Sequence, residues 1–140
     1  MNFIVFDLEW NSAQPGKAGI KENRPELPFE IIEIGAVKLS PELEPLAFFS
    51  ANVRPVVYKK INKYIARVTQ RDQESLMQGD PFSLVASDFA DFCGADAILA
   101  SWGQSDPEVL KQNLEFHHLE STFFTKALDL QVLFSHLAES

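Results

Sequence analysis

Cysteine is almost absent from this chain. Its one copy, Cys93, excludes an intramolecular disulfide framework and points to a reducing, cytoplasmic setting. No apolar run is long enough to span a bilayer, and the N-terminus lacks the charged region, apolar stretch and cleavage pattern of a secretory signal. A soluble intracellular protein with no membrane partner is therefore expected. A Gly-rich phosphate loop and a nucleophilic-serine motif are also missing. Positive charge is scarce as well: 12 Lys and Arg stand against 20 Asp and Glu, for a net charge of −8. Such a balance opposes non-specific nucleic-acid binding, which is driven by cations on phosphates. Half of those cations, however, lie together as Arg54, Lys59, Lys60, Lys63, Arg67 and Arg71. That cluster reads either as a patch that guides a polyanion to one place or as a solvated helix face.

What the chain has is core-forming material. Its 140 residues, 46% hydrophobic with 12 phenylalanines, suit a single domain over residues 1–140. The near-continuous apolar run 3–9 predicts a buried central strand. Residues 12–29, with two glycines and three prolines, read as a loop. Strands are expected over Glu30–Leu39 and Leu46–Val53, joined by the turn Ser40-Pro41-Glu42 into a hairpin. The basic segment 58–67 predicts a short helix, and Asp80-Pro81 opens a stronger one over 82–93, where Phe82, Val85, Phe89 and Phe92 recur near helical spacing. Gly94 suits the residue after a helix end. A strand over Ala97–Ser101, a helix over 106–118, a short strand over Lys126–Leu130 and a helix over 130–139 complete the order βββαβαβα. A hairpin followed by alternating elements implies an α/β fold: a mixed sheet covered by helices.

The central strand ends in Asp7-Leu8-Glu9-Trp10. Side chains at i and i+2 of a strand share a face, so Asp7 and Glu9 converge. Two like charges at the end of a buried strand are costly unless a cation lies between them. Asp106 lies just past the fourth strand. It reads as an N-cap with Pro107 as first helical residue, or Ser105 caps with Glu108 completing a capping box. Neither role excludes a third, as a metal ligand: if the fourth strand runs parallel beside the first, Asp106 emerges on the same edge as Asp7 and Glu9. Three carboxylates without thiolates favour a hard ion such as Mg²⁺ or Mn²⁺. The adjacent His117 and His118 follow no metal-ligand spacing and read as structural.

Phe3-Ile-Val-Phe-Asp-Leu-Glu9 resembles the first motif of the DEDDh-type 3′–5′ exonuclease family. Glu30-Ile-Ile-Glu-Ile-Gly-Ala-Val-Lys-Leu is similar to that family's second strand. Ile65-Ala-Arg-Val-Thr, with Asp80-Pro-Phe downstream, resembles its leucine-threonine-glycine-isoleucine-threonine segment. Ala100-Ser-Trp-Gly-Gln-Ser-Asp106 looks like its second catalytic motif, and Leu128-Asp-Leu-Gln like the short strand that follows. The resemblance implies an RNase H-like mixed five-stranded sheet. It implies hydrolysis of phosphodiester bonds from the 3′ end of single-stranded RNA or DNA, with Asp7, Glu9 and Asp106 as ligands of two divalent ions that activate water and stabilise the leaving oxygen. It also implies that Leu8, Trp10 and Asn11 line the pocket for the terminal nucleotide. Trp10 either stacks on a base or packs in the ordinary way.

The family pattern also calls for a fourth carboxylate, preceded five positions earlier by a general-base histidine, on a helix beyond the last strand. By this resemblance the chain is shortened at its C-terminus, ending at Ser140 before that helix, and His136 belongs to the preceding helix. Two consequences are expected: impaired catalysis, since general-base assistance is typically worth about 10²–10⁴-fold, and, from apolar surface the missing helix would cover, association as a homodimer, strand or helix exchange, or low stability. A non-catalytic nucleic-acid-binding or assembly module on the same scaffold is the alternative.

Overall fold

The computed structural model describes residues 1–13, 24–121 and 127–139. Five strands form one sheet in the order β3-β2-β1-β4-β5, with β1 Asn2–Asn11, β2 Glu30–Leu39, β3 Pro45–Asn52, β4 Ala97–Ser101 and β5 Ala127–Asp129. The strands β1, β2 and β3 pair antiparallel, whereas β4 and β5 run parallel to β1. The expected mixed sheet, its hairpin and its central first strand are all present. Five helices accompany it among the described residues: α1 Lys63–Thr69, α2 Gln73–Leu76, α3 Phe82–Cys93, α4 Ser105–Phe116 and α5 Leu130–Glu139.

The core lies on one face of the sheet. Ile4, Phe6 and Leu8 alternate along β1 onto Val85 and Phe89 of α3 and Val109, Leu110 and Leu114 of α4. Phe89 sits 6.1 Å from the Phe6 ring and 5.4 Å from Phe49. Each such side chain, once buried, contributes about 1.5–3 kcal/mol. Cys93 is part of this core, where burial pushes its thiol up to about 12 and makes it inert. Asn113, fully buried on α4, accepts from the Ile31 N–H and donates to the Phe29 and Val109 carbonyls, which locks α4 to the start of β2.

Several boundaries differ from expectation. The basic segment becomes helical only at Lys63, because Asn62 caps α1, accepting from the Tyr64 and Ile65 N–H groups. The helix stops where Gln70 takes a left-handed backbone (φ 57°). A second short helix, α2, follows, opened by a capping box between Asp72 and Ser75. The short strand β5 covers Ala127–Asp129, narrower than expected, and Lys126 lies outside the described residues, as does much of the loop read over 12–29. Neither capping expected for α4 occurs: Gln104 is its N-cap residue, no side chain caps it, and Asp106 turns elsewhere.

Candidate active site

The site arises from a mismatch in strand length. On its β2 side β1 is paired as far as Asn11, but its pairing with β4 ends at Val5–Ala100. Beyond Val5 the two parallel strands part, leaving backbone N–H groups of β1 without a strand carbonyl. A buried N–H needs a partner. The Leu8 N–H finds it in the Asp106 carboxylate, donating to Oδ2 at 3.0 Å. Asp106, only 9% exposed at the first turn of α4, thus bridges the crevice between β1 and β4. Ligands of α/β sheets collect in such crevices at carboxyl ends of parallel strands.

Asp7 and Asp106 are near enough for the charge of one to act on the other. Burial lifts the Asp106 carboxyl to about 6; the Leu8 N–H opposes this, while Asp7, and more weakly Glu9, add to it. Glu9 is raised too, first by burial and then by Asp7 and Glu33. Glu33 is the residue directly opposite Glu9 on β2, a like-charge cross-strand pair that destabilises unless compensated. Arg71 compensates it: its guanidinium donates to Glu33 at 3.3 Å, to the Ile32 carbonyl and to Asn52, and its charge lowers Glu9. Arg71 is thus turned into the fold, whereas Arg54, Lys59, Lys60, Lys63 and Arg67 are exposed.

The donor chemistry suits a hard divalent ion, being oxygen only and repelled by its own negative charge. Among the described residues, though, no three Asp, Glu, His or Cys side chains converge as a ready-made metal cluster. Within the trio, Asp7 acts on Asp106 more strongly than Glu9 does.

Two residues expected at the nucleotide pocket have other work. The Leu8 side chain is 4% exposed and lies in the core; only its backbone reaches the site. Asn11 is fully buried and its side chain is committed to the chain beyond β3: Nδ2 donates to the Tyr58 and Lys60 carbonyls, and Oδ1 accepts from the Asn62 N–H. Trp10 remains half-buried, packed against the core, with its ring 5.8 Å from that of Phe29. A strand irregularity between Glu9 and Trp10 separates the acidic pair from these two residues. A cavity of about 250 Å³ lies between the start of α4 and β5, lined by Gly103, Gln104, Pro107, Glu108, Ala127 and Asp129. An apolar groove of about 370 Å³ between α3 and the end of α4 does not reach the carboxylates.

Sequence reasoning missed Glu30 and Glu33, which sit in an apolar strand where a carboxylate needs partners. Glu30, 3% exposed, accepts from the Val56, Val57 and Tyr58 N–H groups at 2.8–3.2 Å. Its lone acidic place at the head of an Ile-Ile run was the available signal.

The sequence model of the RNase T exonuclease family matches residues 4–131. A probable 3′–5′ exonuclease of Bacillus subtilis, KapD, is 31% identical over 106 residues, covering 74% of this chain and 50% of the relative. The chain thus spans half the length of that curated relative. Among solved structures, the nuclease domain of 3′hExo, a DEDDh family member bound to rAMP, superposes with a TM-score of 0.81 at 21% identity, covering 99% of this chain and 71% of that one. Cell-death related nuclease 4 superposes at 0.79 with 17% identity, covering 99% and 48%. At these identities the likeness carries the RNase H-like fold.

Proposed function

Because the chain belongs to the RNase T exonuclease family, we propose that it removes nucleotides from the 3′ end of single-stranded RNA or DNA by DEDDh-type phosphodiester hydrolysis. The observation that carries this reading is the anchoring of the Asp106 carboxylate, across the β1–β4 crevice, on the Leu8 N–H that lies between Asp7 and Glu9 in β1. Asp7, Glu9 and Asp106 would hold Mg²⁺ or Mn²⁺. A bound divalent ion supplies an activated water and charge stabilisation at the leaving oxygen. The chain's own part is to hold the carboxylates at one edge of the sheet. Asp106 does so through its bond to β1, and the Arg71–Glu33 pair does so by limiting repulsion around Glu9. The exposed part of Trp10, beside Phe29, offers an aromatic edge to a terminal base, a contact that tolerates any sequence.

The test is release of mononucleotides from 3′-labelled single-stranded RNA and DNA with Mg²⁺ or Mn²⁺. Turnover is expected in the unmodified protein, with a loss of about 10²-fold or more in Asp7→Ala and Asp106→Ala, on the scale of removing an electrostatic catalytic group. Unchanged release in Asp7→Ala would defeat the proposal.

One observation favours a second reading, a nucleic-acid-binding module without turnover: the described carboxylates do not already form a three-ligand cluster. Salt-dependent binding of single strands, without mononucleotide release at millimolar metal, would mark that outcome.

A further inference from the structure

Between Glu44 and Asp72 the chain carries six cations and no carboxylate, in a protein whose net charge is −8. This stretch includes α1 and the loop before it, and both are built onto the end of the catalytic strand. Asn11, two residues past Glu9, binds the Tyr58 and Lys60 carbonyls and the Asn62 N–H. Two strand residues span about 7 Å, so the loop and the start of α1 stand next to the acidic site. Asn62 also donates to the Ala13 carbonyl while capping α1. Gln73 of α2 clamps the loop from its other side, donating to the Lys59 carbonyl and accepting from the Ile61 N–H. Glu30 fixes residues 56–58. The backbone of this segment is held at both ends and in the middle.

The side chains it presents are of one kind. Lys59, Lys63 and Arg67 are exposed, and none has an ion-pair partner among the described residues. Lys63 and Arg67, four apart on α1, share a helix face. Tyr64 stands beside them, 67% exposed. An exposed aromatic between cations on a rigid support is the combination that binds single strands without sequence preference: phosphates on the cations, a base on the ring. The rest of the molecule, being acidic, repels a polyanion, so the path is narrow.

We infer that Lys59, Lys63, Arg67 and Tyr64 form the track for the single strand upstream of its 3′ end, the cations on its phosphates and Tyr64 against a base. This rests on the exonuclease reading and adds the surface that selects strands longer than the reacting terminus.

The experiment is equilibrium binding of a fluorescent single-stranded twelve-nucleotide oligomer and of a dinucleotide, without divalent metal, across a series of salt concentrations. The proteins are the full chain, its Lys59→Gln/Lys63→Gln/Arg67→Gln triple variant, Tyr64→Ser, and a control with Arg24→Gln and Lys111→Gln. Each phosphate neutralised on a single strand contributes about −0.7 to the slope of log affinity against log salt. The triple variant should therefore lose about 2 from that slope and bind the longer oligomer at least tenfold more weakly at low salt. The dinucleotide should be nearly indifferent. Tyr64→Ser should weaken binding several-fold with the slope unchanged, since stacking carries no charge. The control should keep the slope of the unmodified chain. A triple variant whose slope and affinity match the unmodified chain overturns the track, even if mononucleotide release shows the exonuclease reading to be sound. Normal slopes and losses in a protein that releases no mononucleotide would retain the track and reject the exonuclease reading.

Discussion

Asp106 answers two demands at once. As a residue of β-sheet architecture it supplies the acceptor that β4 no longer offers to the Leu8 N–H; as a carboxylate beside Asp7 it concentrates negative charge. The two demands conflict in free energy. With its folded pKa raised to about 6, ionised Asp106 opposes folding at neutral pH. Asp106→Asn keeps an oxygen for the Leu8 N–H and removes the charge. It should raise thermal stability in metal-free buffer at neutral pH, by about 1–2 kcal/mol, while abolishing nuclease activity. Calorimetry and the mononucleotide assay on the same preparation check both halves. Such opposition between stability and activity is usual where like charges are assembled for function. That Asp106 emerges at the edge shared with Asp7 and Glu9 was legible once the fourth strand was read as parallel beside the first, as it is. The acceptor role of Asp106 was not, because an Asp before a helix is so often a cap and only the parting of β1 from β4 gives it other employment. The commitments of Leu8 and Asn11 were not legible either: Leu8, between two carboxylates that share a face, points to the core face, and Asn11 is taken up by the segment beyond β3 through long-range bonds.

At the scale of elements, β2, α3 and β4 stand where hydrophobic periodicity places them, since each buries a continuous apolar face. The basic segment departs from its expected range because long-range polar bonds, from Asn11, Glu30 and Gln73, set its course. No local pattern encodes those. Glu30→Ala should therefore act at a distance. Three N–H groups of residues 56–58 would lose their acceptor, at a cost of about 2–4 kcal/mol. Hydrogen exchange should show lost protection at residues 56–62 first, with α3 and α4 affected only to the extent of global destabilisation. Uniform change across the sheet would show instead that Glu30 serves the core rather than this segment.

For the whole molecule, acid stability should carry the mark of His117. Its ring lies 4.9 Å from Phe82, and burial lowers its pKa below the usual imidazole value, with Glu30 pulling the other way. A depressed folded pKa means the folded state favours neutral imidazole. The stability this provides is complete above the unfolded value and is lost as pH falls through the folded one. His117→Phe, which keeps an aromatic ring against Phe82, should lose less of its melting temperature than the unmodified protein between about pH 7 and pH 5. An identical acid profile for the two proteins would assign the loss to other groups. One bond described above also makes the molecule self-reporting. The Leu8 amide belongs to the backbone but has the Asp106 carboxylate as its acceptor, so its resonance in an isotope-labelled sample reads the charge on that carboxylate directly. Titrating Mg²⁺ should move this one peak farther than those of the neighbouring β1 amides. A spectroscopist would then have an occupancy gauge for the crevice that needs no substrate, no turnover and no added label on any side chain.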